Sequence, residues 1–234
     1  MASPINPGNP EGTSNLKTLA STHSAVLLKR RWLSDKTFEI AISSPPGFEF
    51  EAGQRISLSL GGHTRDYSIV SATQETELTF CIRSVAGGKL STLLSIADMG
   101  IPLSVYGPHG YFTFKPSSRP AVFVATGTGI APFCSMARSG ISDFMLLHGV
   151  HLPHDLYYAN QFQQSARIYI PCLTEADPLP ENAFNGKVTE YLQHHLPSGS
   201  YDFYLCGRHE MVRDATLLID ERFTESLVYT EMFY

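Results

Sequence analysis

The chain has 234 residues, 43% of them hydrophobic and 17% charged, a balance that buries a core and excludes a disordered or fibrous protein. Its net charge of −5 argues against a nucleic-acid partner held by bulk electrostatics. Four scattered cysteines, Cys81, Cys134, Cys172 and Cys206, contain no C-x-x-C pair, which excludes a zinc ribbon or the usual iron–sulfur ligand run and points to reduced thiols.

Residues 1–20, MASPINPGNPEGTSNLKTLA, are rich in Pro, Gly, Asn, Ser and Thr and read as a loose N-terminal tail. They lack the basic start and apolar core of a signal peptide, and no apolar run in the chain reaches membrane-span length. A soluble, cytoplasmic chain with no membrane partner is expected. Residues 21–116 form one unit of short alternating runs: AVLLKRRWL, TFEIAIS, RISLSL, DYSIVSA, LTFCIRSV and PLSVYG. Separated by PPG, GG and GGK turns, they predict a small antiparallel barrel or sandwich. LSTLLSIA, residues 90–97, has helical spacing and is expected to cover one end.

Near residue 117 the pattern changes. AVFVAT, DFMLLHGV, RIYIPCL and DFYLCG alternate with APFCSMARS, LYYANQFQQS, VTEYLQHHL and EMVRDATLLIDERF. Strand alternating with helix predicts a parallel sheet flanked by helices over residues 117–234. Charge divides along the same line: residues 1–116 carry 10 Lys and Arg against 9 Asp and Glu, and residues 117–234 carry 7 against 13.

Three stretches carry candidate chemistry. In AVFVATGTGIAPFCSM, residues 121–136, a buried strand runs into Thr126-Gly127-Thr128-Gly129 and then a helix with Pro132 in its first turn. Such a turn brings main-chain N–H groups close to a phosphate. In Arg65-Asp66-Tyr67-Ser68, alternation puts Arg65 and Tyr67 on one strand face and Asp66 and Ser68 on the other. A guanidinium beside a phenol suits a phosphate joined to a flat heterocycle. Gly87-Gly88-Lys89-Leu90-Ser91-Thr92 is a second glycine-rich turn leading to a helix, hence a second phosphate candidate. His148, His151 and His154 fall at a strand end and across a Pro-containing loop, so no metal is expected.

RDYS, GGKLSTLL, YGPHGYF, ATGTGIAPF, LCGRHEMVRD and EMFY, in this order and spacing, resemble the ferredoxin–NADP reductase superfamily, and within it the bacterial ferredoxin/flavodoxin–NAD(P)H reductases. The resemblance implies two domains: an antiparallel β-barrel FAD-binding domain, then an α/β parallel-sheet NAD(P)-binding domain whose C-terminal tail lies over the flavin. It implies FAD and NADPH or NADH as cofactors, and electron exchange between the nicotinamide nucleotide and a ferredoxin or flavodoxin-like redox protein. A reductase component of an oxygenase, another multi-component electron-transfer subunit and a free-flavin reductase are the alternatives. Any iron–sulfur centre would then sit on a separate protein.

Residue by residue, the resemblance puts Arg65 on the FAD pyrophosphate, Tyr67 against the isoalloxazine and Ser68 near flavin N5. Asp66, Ile82, Arg83 and Gly88 would join them, with backbone N–H groups of Lys89, Leu90 and Ser91 on the pyrophosphate. Thr126, Gly127, Thr128 and Gly129 would cradle the nicotinamide nucleotide, Cys206 and Gly207 would lie at its ring, and Glu231 and Tyr234 would complete the site. Where NADPH-preferring relatives carry arginines, this chain has His151 and Thr174, leaving Lys187 as the basic residue of that group. NADH is therefore expected to serve at least as well as NADPH. Lys29, Arg30, Arg31 and Lys36 are the candidate attractive patch for an acidic redox partner.

Overall fold

The computed structural model describes residues 22–233; the expected tail at 1–20 and the Tyr234 side chain lie outside them. Six antiparallel strands come first: β1 (Thr22–Ser34), β2 (Thr37–Ser43), β3 (Arg55–Leu60), β4 (His63–Ser68), β5 (Glu77–Arg83) and β6 (Pro102–His109), in the order β4-β3-β6-β1-β2-β5. The run DYSIVSA, expected as one strand, does two jobs. Its first half ends β4, and Ile69 then bridges Phe80 while the Val70 N–H donates to the Thr79 carbonyl at 2.8 Å, which closes the barrel onto β5. Alternation turns Ile40, Ile42, Ile56, Leu58, Phe80 and Val105 inward, all fully buried. Helix α1 (Lys89–Ile96) seats Leu90 and Leu94 in that core. Arg30 reaches its far end and donates to the Leu94 and Ala97 carbonyls at 3.2 and 2.7 Å, satisfying acceptors left over by the helix.

The second sheet is parallel: β7 (Ala121–Thr126), β8 (Phe144–Val150), β9 (Ile168–Leu173), β10 (Phe184–Asn185), β11 (Asp202–Arg208) and β12 (Leu227–Phe233), ordered β10-β9-β8-β7-β11-β12. Helices α2 (Ala131–Arg138), α3 (Ala159–Ser165), α4 (Val188–His194) and α5 (His209–Arg222) cover it. Both faces are buried, which explains the unbroken apolar runs: Phe123 and Ala125 pack with Phe133 and Phe162, while Val122 and Val124 pack with Leu192 and Ile219. Two elements depart from the sequence expectation. LVYTEMF, which the sequence pattern assigns to no element, is strand β12, paired with β11 from Asp202–Leu227 to Arg208–Phe233. LYYANQFQQS becomes helical only at Ala159 because Tyr158 is left-handed at φ 61°. That turn sends the Tyr157 hydroxyl to Thr37 and the Tyr158 hydroxyl to Glu39, each at 2.8 Å, so both tyrosines tie this loop to the barrel.

The two sheets share a core. Val70, Cys81 and Phe112 from the barrel side belong to one buried cluster with Phe123, Phe133 and Met136 of the α/β side. The Phe112 and Phe133 rings meet edge to face at 5.7 Å, and the buried Ser135 hydroxyl donates to the Ser71 carbonyl at 2.8 Å. The connecting segment is pinned to β11: the Lys115 N–H donates to the Tyr204 hydroxyl at 2.8 Å, and Arg119 pairs with buried Asp202 at 2.6 Å. Among the described residues, no helix is long and apolar enough to cross a membrane. In the basic patch expected at Lys29, Arg30, Arg31 and Lys36, Lys29 pairs with Glu77 at 2.9 Å and Arg31 with Glu39 at 3.0 Å, both remaining exposed, while Arg30 caps α1.

Phe133 is the ring at the centre of this junction. Phe133→Ala is expected to cost about 3–5 kcal/mol and lower the thermal midpoint by roughly 10 °C, read by circular dichroism melting.

Candidate dinucleotide-binding cleft

Between the barrel and the open end of the parallel sheet lies a cleft of about 2080 Å³. A single small-molecule pocket spans ~300–1,000 Å³, so this one has room for two ligands. Crevices beyond the carboxyl ends of parallel strands are where α/β sheets bind ligands, and β7, β8, β9 and β11 all end here.

The barrel wall is built from β4, the end of β5 and the start of α1. Arg65 is exposed; its guanidinium donates to the neighbouring Thr64 carbonyl at 2.8 Å and meets no carboxylate among the described residues. Arg83 and Lys89 line the same wall. Helix α1 begins at Gly88 with no capping side chain, so the first-turn N–H groups of Lys89, Leu90 and Ser91 are left to whatever enters the cleft. Tyr67 is half-buried against the barrel core, and burial pushes its phenol up to about 12, so it stays neutral.

The α/β wall begins at the Thr126-Gly127-Thr128 turn. Gly127 has φ +53°, and nothing lies within 4 Å of where its Cβ would be. Beneath it, the fully buried His148 places Nε2 3.3 Å from the Gly127 carbonyl and Nδ1 3.4 Å from the Tyr169 hydroxyl. Burial drives this imidazole down to about 4, so a neutral ring donates to one partner and accepts from the other. Farther along, His151 Nδ1 lies 2.9 Å from Thr174 Oγ1 and 3.2 Å from Glu175 Oε1, with Lys187 on the same wall. The Glu175 carboxylate thus stands beside His151 and Thr174, the two positions where the resemblance looked for arginines.

Glu231 joins the two walls. It sits on β12 opposite Cys206 of β11 and is 5% exposed. Its Oε1 accepts from Ser68 Oγ of β4 at 3.1 Å and from Arg55 Nη1 of β3 at 3.5 Å; Oε2 is buried with no partner among the described residues. Burial raises the Glu231 carboxyl above its ordinary range, and Arg55 and the Ser68 hydroxyl oppose the rise.

Most of the residues singled out from sequence line this one cleft, but three do not. Ile82 is 1% exposed inside the barrel core, because alternation along β5 aims Arg83 at the cleft and Ile82 away from it. Gly129 is buried beneath the turn: a Cβ there would lie 2.7 Å from Gly207 Cα and overlap the Cys206 carbonyl, so it permits contact between two backbones. Cys206 is fully buried, and burial pushes its thiol well above the usual range, so it stays protonated. Sequence reasoning missed Arg55 and Tyr111, both on the cleft wall, the latter 96% exposed. Only the alternation of RISLSL hinted at Arg55, by placing it on the polar side with Ser57 and Ser59.

Each wall therefore offers an anion-accepting turn: an uncapped helix start beside a free guanidinium on one, a glycine turn below a parallel strand on the other. An orphaned carboxylate oxygen lies between them. This donor set fits a flavin dinucleotide against the barrel and a nicotinamide dinucleotide against the sheet.

The raised Glu231 carboxyl has a consequence for stability. A group that binds its proton more tightly when folded stabilises the fold below its unfolded pKa, and that contribution is lost as pH rises through the folded value. Glu231→Gln is expected to remove this loss, so its stability relative to wild type increases from mildly acidic to neutral pH. Urea unfolding at a series of pH values reads the difference, and parallel curves would mean that Glu231 is not strained by burial.

Comparison with known proteins follows the same division. An oxidoreductase FAD-binding domain model matches residues 26–114, and an oxidoreductase NAD-binding domain model matches residues 123–216. The toluate 1,2-dioxygenase electron transfer component of Pseudomonas putida is 33% identical over 221 residues, covering 87% of this chain and 65% of that one. Ferredoxin–NADP reductase B of Sorangium cellulosum (strain So ce56) is 35% identical over 161 residues, covering 63% of this chain and 66% of that one. The chain spans roughly half to two thirds of the length of the curated relatives it matches. In fold it is similar to a ferredoxin NADP+ reductase from Neisseria gonorrhoeae with bound FAD and NADP, with a TM-score of 0.81 at 24% identity over 92% of this chain and 100% of that one. The Amycolatopsis cytochrome P450 reductase GcoB gives a TM-score of 0.80 at 25% identity over 91% of this chain and 70% of that one. Two oxidoreductase domain models, matched in order onto the two sides of one cleft, make this chain a member of the ferredoxin–NADP reductase superfamily.

Proposed function

We propose that this chain passes electrons between a nicotinamide nucleotide and a one-electron carrier of the ferredoxin or flavodoxin type, in the cytoplasm, with residues 21–116 holding FAD and 117–234 holding NAD(P)H. The observation that carries this reading is the cleft itself: two anion-accepting turns face each other across a buried Ser68–Glu231 contact that joins the two halves. FAD held there would supply the exchange between a two-electron hydride donor and a one-electron acceptor.

The chain's own residues supply binding, orientation and dryness. Arg65 and the first turn of α1 hold the FAD pyrophosphate, and Tyr67 packs against the ring system. Thr126, Gly127 and Thr128 hold the nicotinamide pyrophosphate, with neutral His148 bracing the Gly127 carbonyl from below. Ser68 presents its hydroxyl to the reacting edge, and Glu231 accepts from it at 3.1 Å. Gly207, at φ +140°, turns the end of β11 so that its backbone packs on Thr126 at the end of β7. A second reading, the reductase component of an oxygenase, is supported by relatives that are oxygenase electron-transfer or reductase components; on that reading the carrier served would belong to an oxygenase system.

The purified protein is expected to be yellow with releasable FAD. Arg65→Ala should weaken FAD binding roughly 10- to 100-fold, the worth of one charge-assisted contact. Release of FMN alone would overturn the assignment.

Nucleotide choice follows from the His151–Thr174–Glu175 group. A carboxylate suits a ribose 2′-hydroxyl and repels a 2′-phosphate, while Lys187 is a lone point charge without a guanidinium fork. NADH is therefore expected to give kcat/KM at least equal to that of NADPH, and Glu175→Ala should raise NADPH use. Steady-state kinetics with both nucleotides checks this, and wild-type preference for NADPH above ~100-fold would overturn it.

A further inference from the structure

A polar row crosses the barrel face that meets the α/β half. Arg55 on β3 has Ser68 of β4 and His109 of β6 as its cross-strand partners, and two residues along, Ser57 pairs with Asp66. Cross-strand partners and alternate residues share a face, so these side chains stand together. The opposite face of β3 carries Ile56 and Leu58, both fully buried in the barrel core. The polar row therefore faces β12, which brings Glu231 to it.

The contacts form a chain. Arg55 Nε donates to Asp66 Oδ2 at 3.2 Å, and Nη1 reaches Glu231 Oε1 at 3.5 Å. Asp66 is held from behind by the Ser57 hydroxyl and by His109 Nε2 at 3.6 Å, and Ser57 and His109 meet at 3.3 Å. Gly110, at φ +100°, closes over the guanidinium: a Cβ there would lie 3.4 Å from Arg55 Nη1. One planar guanidinium thus spends its two edges on two carboxylates from different halves of the molecule.

We propose that Arg55 is a positioning residue for electron transfer: anchored by Asp66, with Ser57 and His109 behind it, its guanidinium holds the Glu231 carboxylate on the Ser68 hydroxyl. This rests on the functional reading above. Four groups bear on Glu231: Arg55 from β3, Ser68 and Asp66 from β4, and the neutral Cys206 thiol from its neighbour β11. Arg55 is the cation among them. Burial drives Glu231 to keep its proton, and Arg55 is the largest influence opposing that. Without it, the carboxyl stays protonated to higher pH and no longer accepts cleanly from Ser68. Lysine keeps the charge but cannot hold Asp66 and Glu231 through one rigid fork.

The test uses the FAD-loaded protein as wild type, Arg55→Met and Arg55→Lys, with two readouts. The first is the titration of the Glu231 side-chain carboxyl by ¹³C NMR with labelled glutamate, assigned by its loss in Glu231→Gln. The second is the pH profile of flavin reduction by NADH in stopped flow. Arg55→Met is expected to move the carboxyl titration upward by about one pH unit, to shift the reduction profile the same way and to slow reduction roughly tenfold near neutrality. FAD retention should be unchanged, and Arg55→Lys should return part of both shifts. An unmoved carboxyl titration would overturn the proposal, and so would a moved titration with an unaltered reduction profile. A wild-type protein that reduces its flavin with neither nucleotide fails the functional reading instead, and the carboxyl titration still decides whether Arg55 holds Glu231.

Discussion

The cleft depends on an apolar core that does not stop at the boundary between barrel and sheet. Val70, Cys81 and Phe112 bury themselves among Phe123, Phe133 and Met136, so the two halves pack as a folded interior would. Interiors at crystal-like density do not slide, and displacing one half would open cavities along this seam. That rigidity permits a 3.1 Å hydrogen bond between Ser68 of one half and Glu231 of the other. Two tyrosines, Tyr157 and Tyr158, add polar ties to β2.

Charge is distributed with the same economy. Lys29, Arg31 and Arg119 each have a carboxylate partner, and Arg30 is spent on a helix end. Arg65 has no such partner among the described residues, and it lies in the same cleft as the uncapped first turn of α1. Uncompensated positive potential in a concave, partly dry site draws anions and holds them more strongly than it would on an open surface. Paired charges elsewhere keep that potential local. The price of the arrangement is borne by Glu231, a carboxylate desolvated between two sheets with one oxygen unsatisfied.

Sequence by itself determined the strand and helix order of the barrel and of the parallel half as far as its last helix, the short β10 apart, because hydrophobic period is a local property: period two through RISLSL and LTFCIRSV, unbroken apolar runs through AVFVAT and DFYLCG. It also located the two glycine turns that lead into helices on the cleft walls, since glycine before a helix is a local signature. Tertiary structure alone decided what lies between them. LVYTEMF has a strand's composition, yet only the exposed edge of β11 made it one, and that pairing carried Glu231 into the interior. Arg55 reads as an ordinary polar position on an alternating strand; its meaning comes from β4, β6 and β12 arriving from 11, 54 and 176 residues away. Ile82 and Gly129 were drawn toward the site by their neighbours in sequence, and side-chain alternation and backbone packing turned them away from it. Long-range contacts of this kind leave no periodic trace in the chain, because their energy is gained only once both partners are already in place.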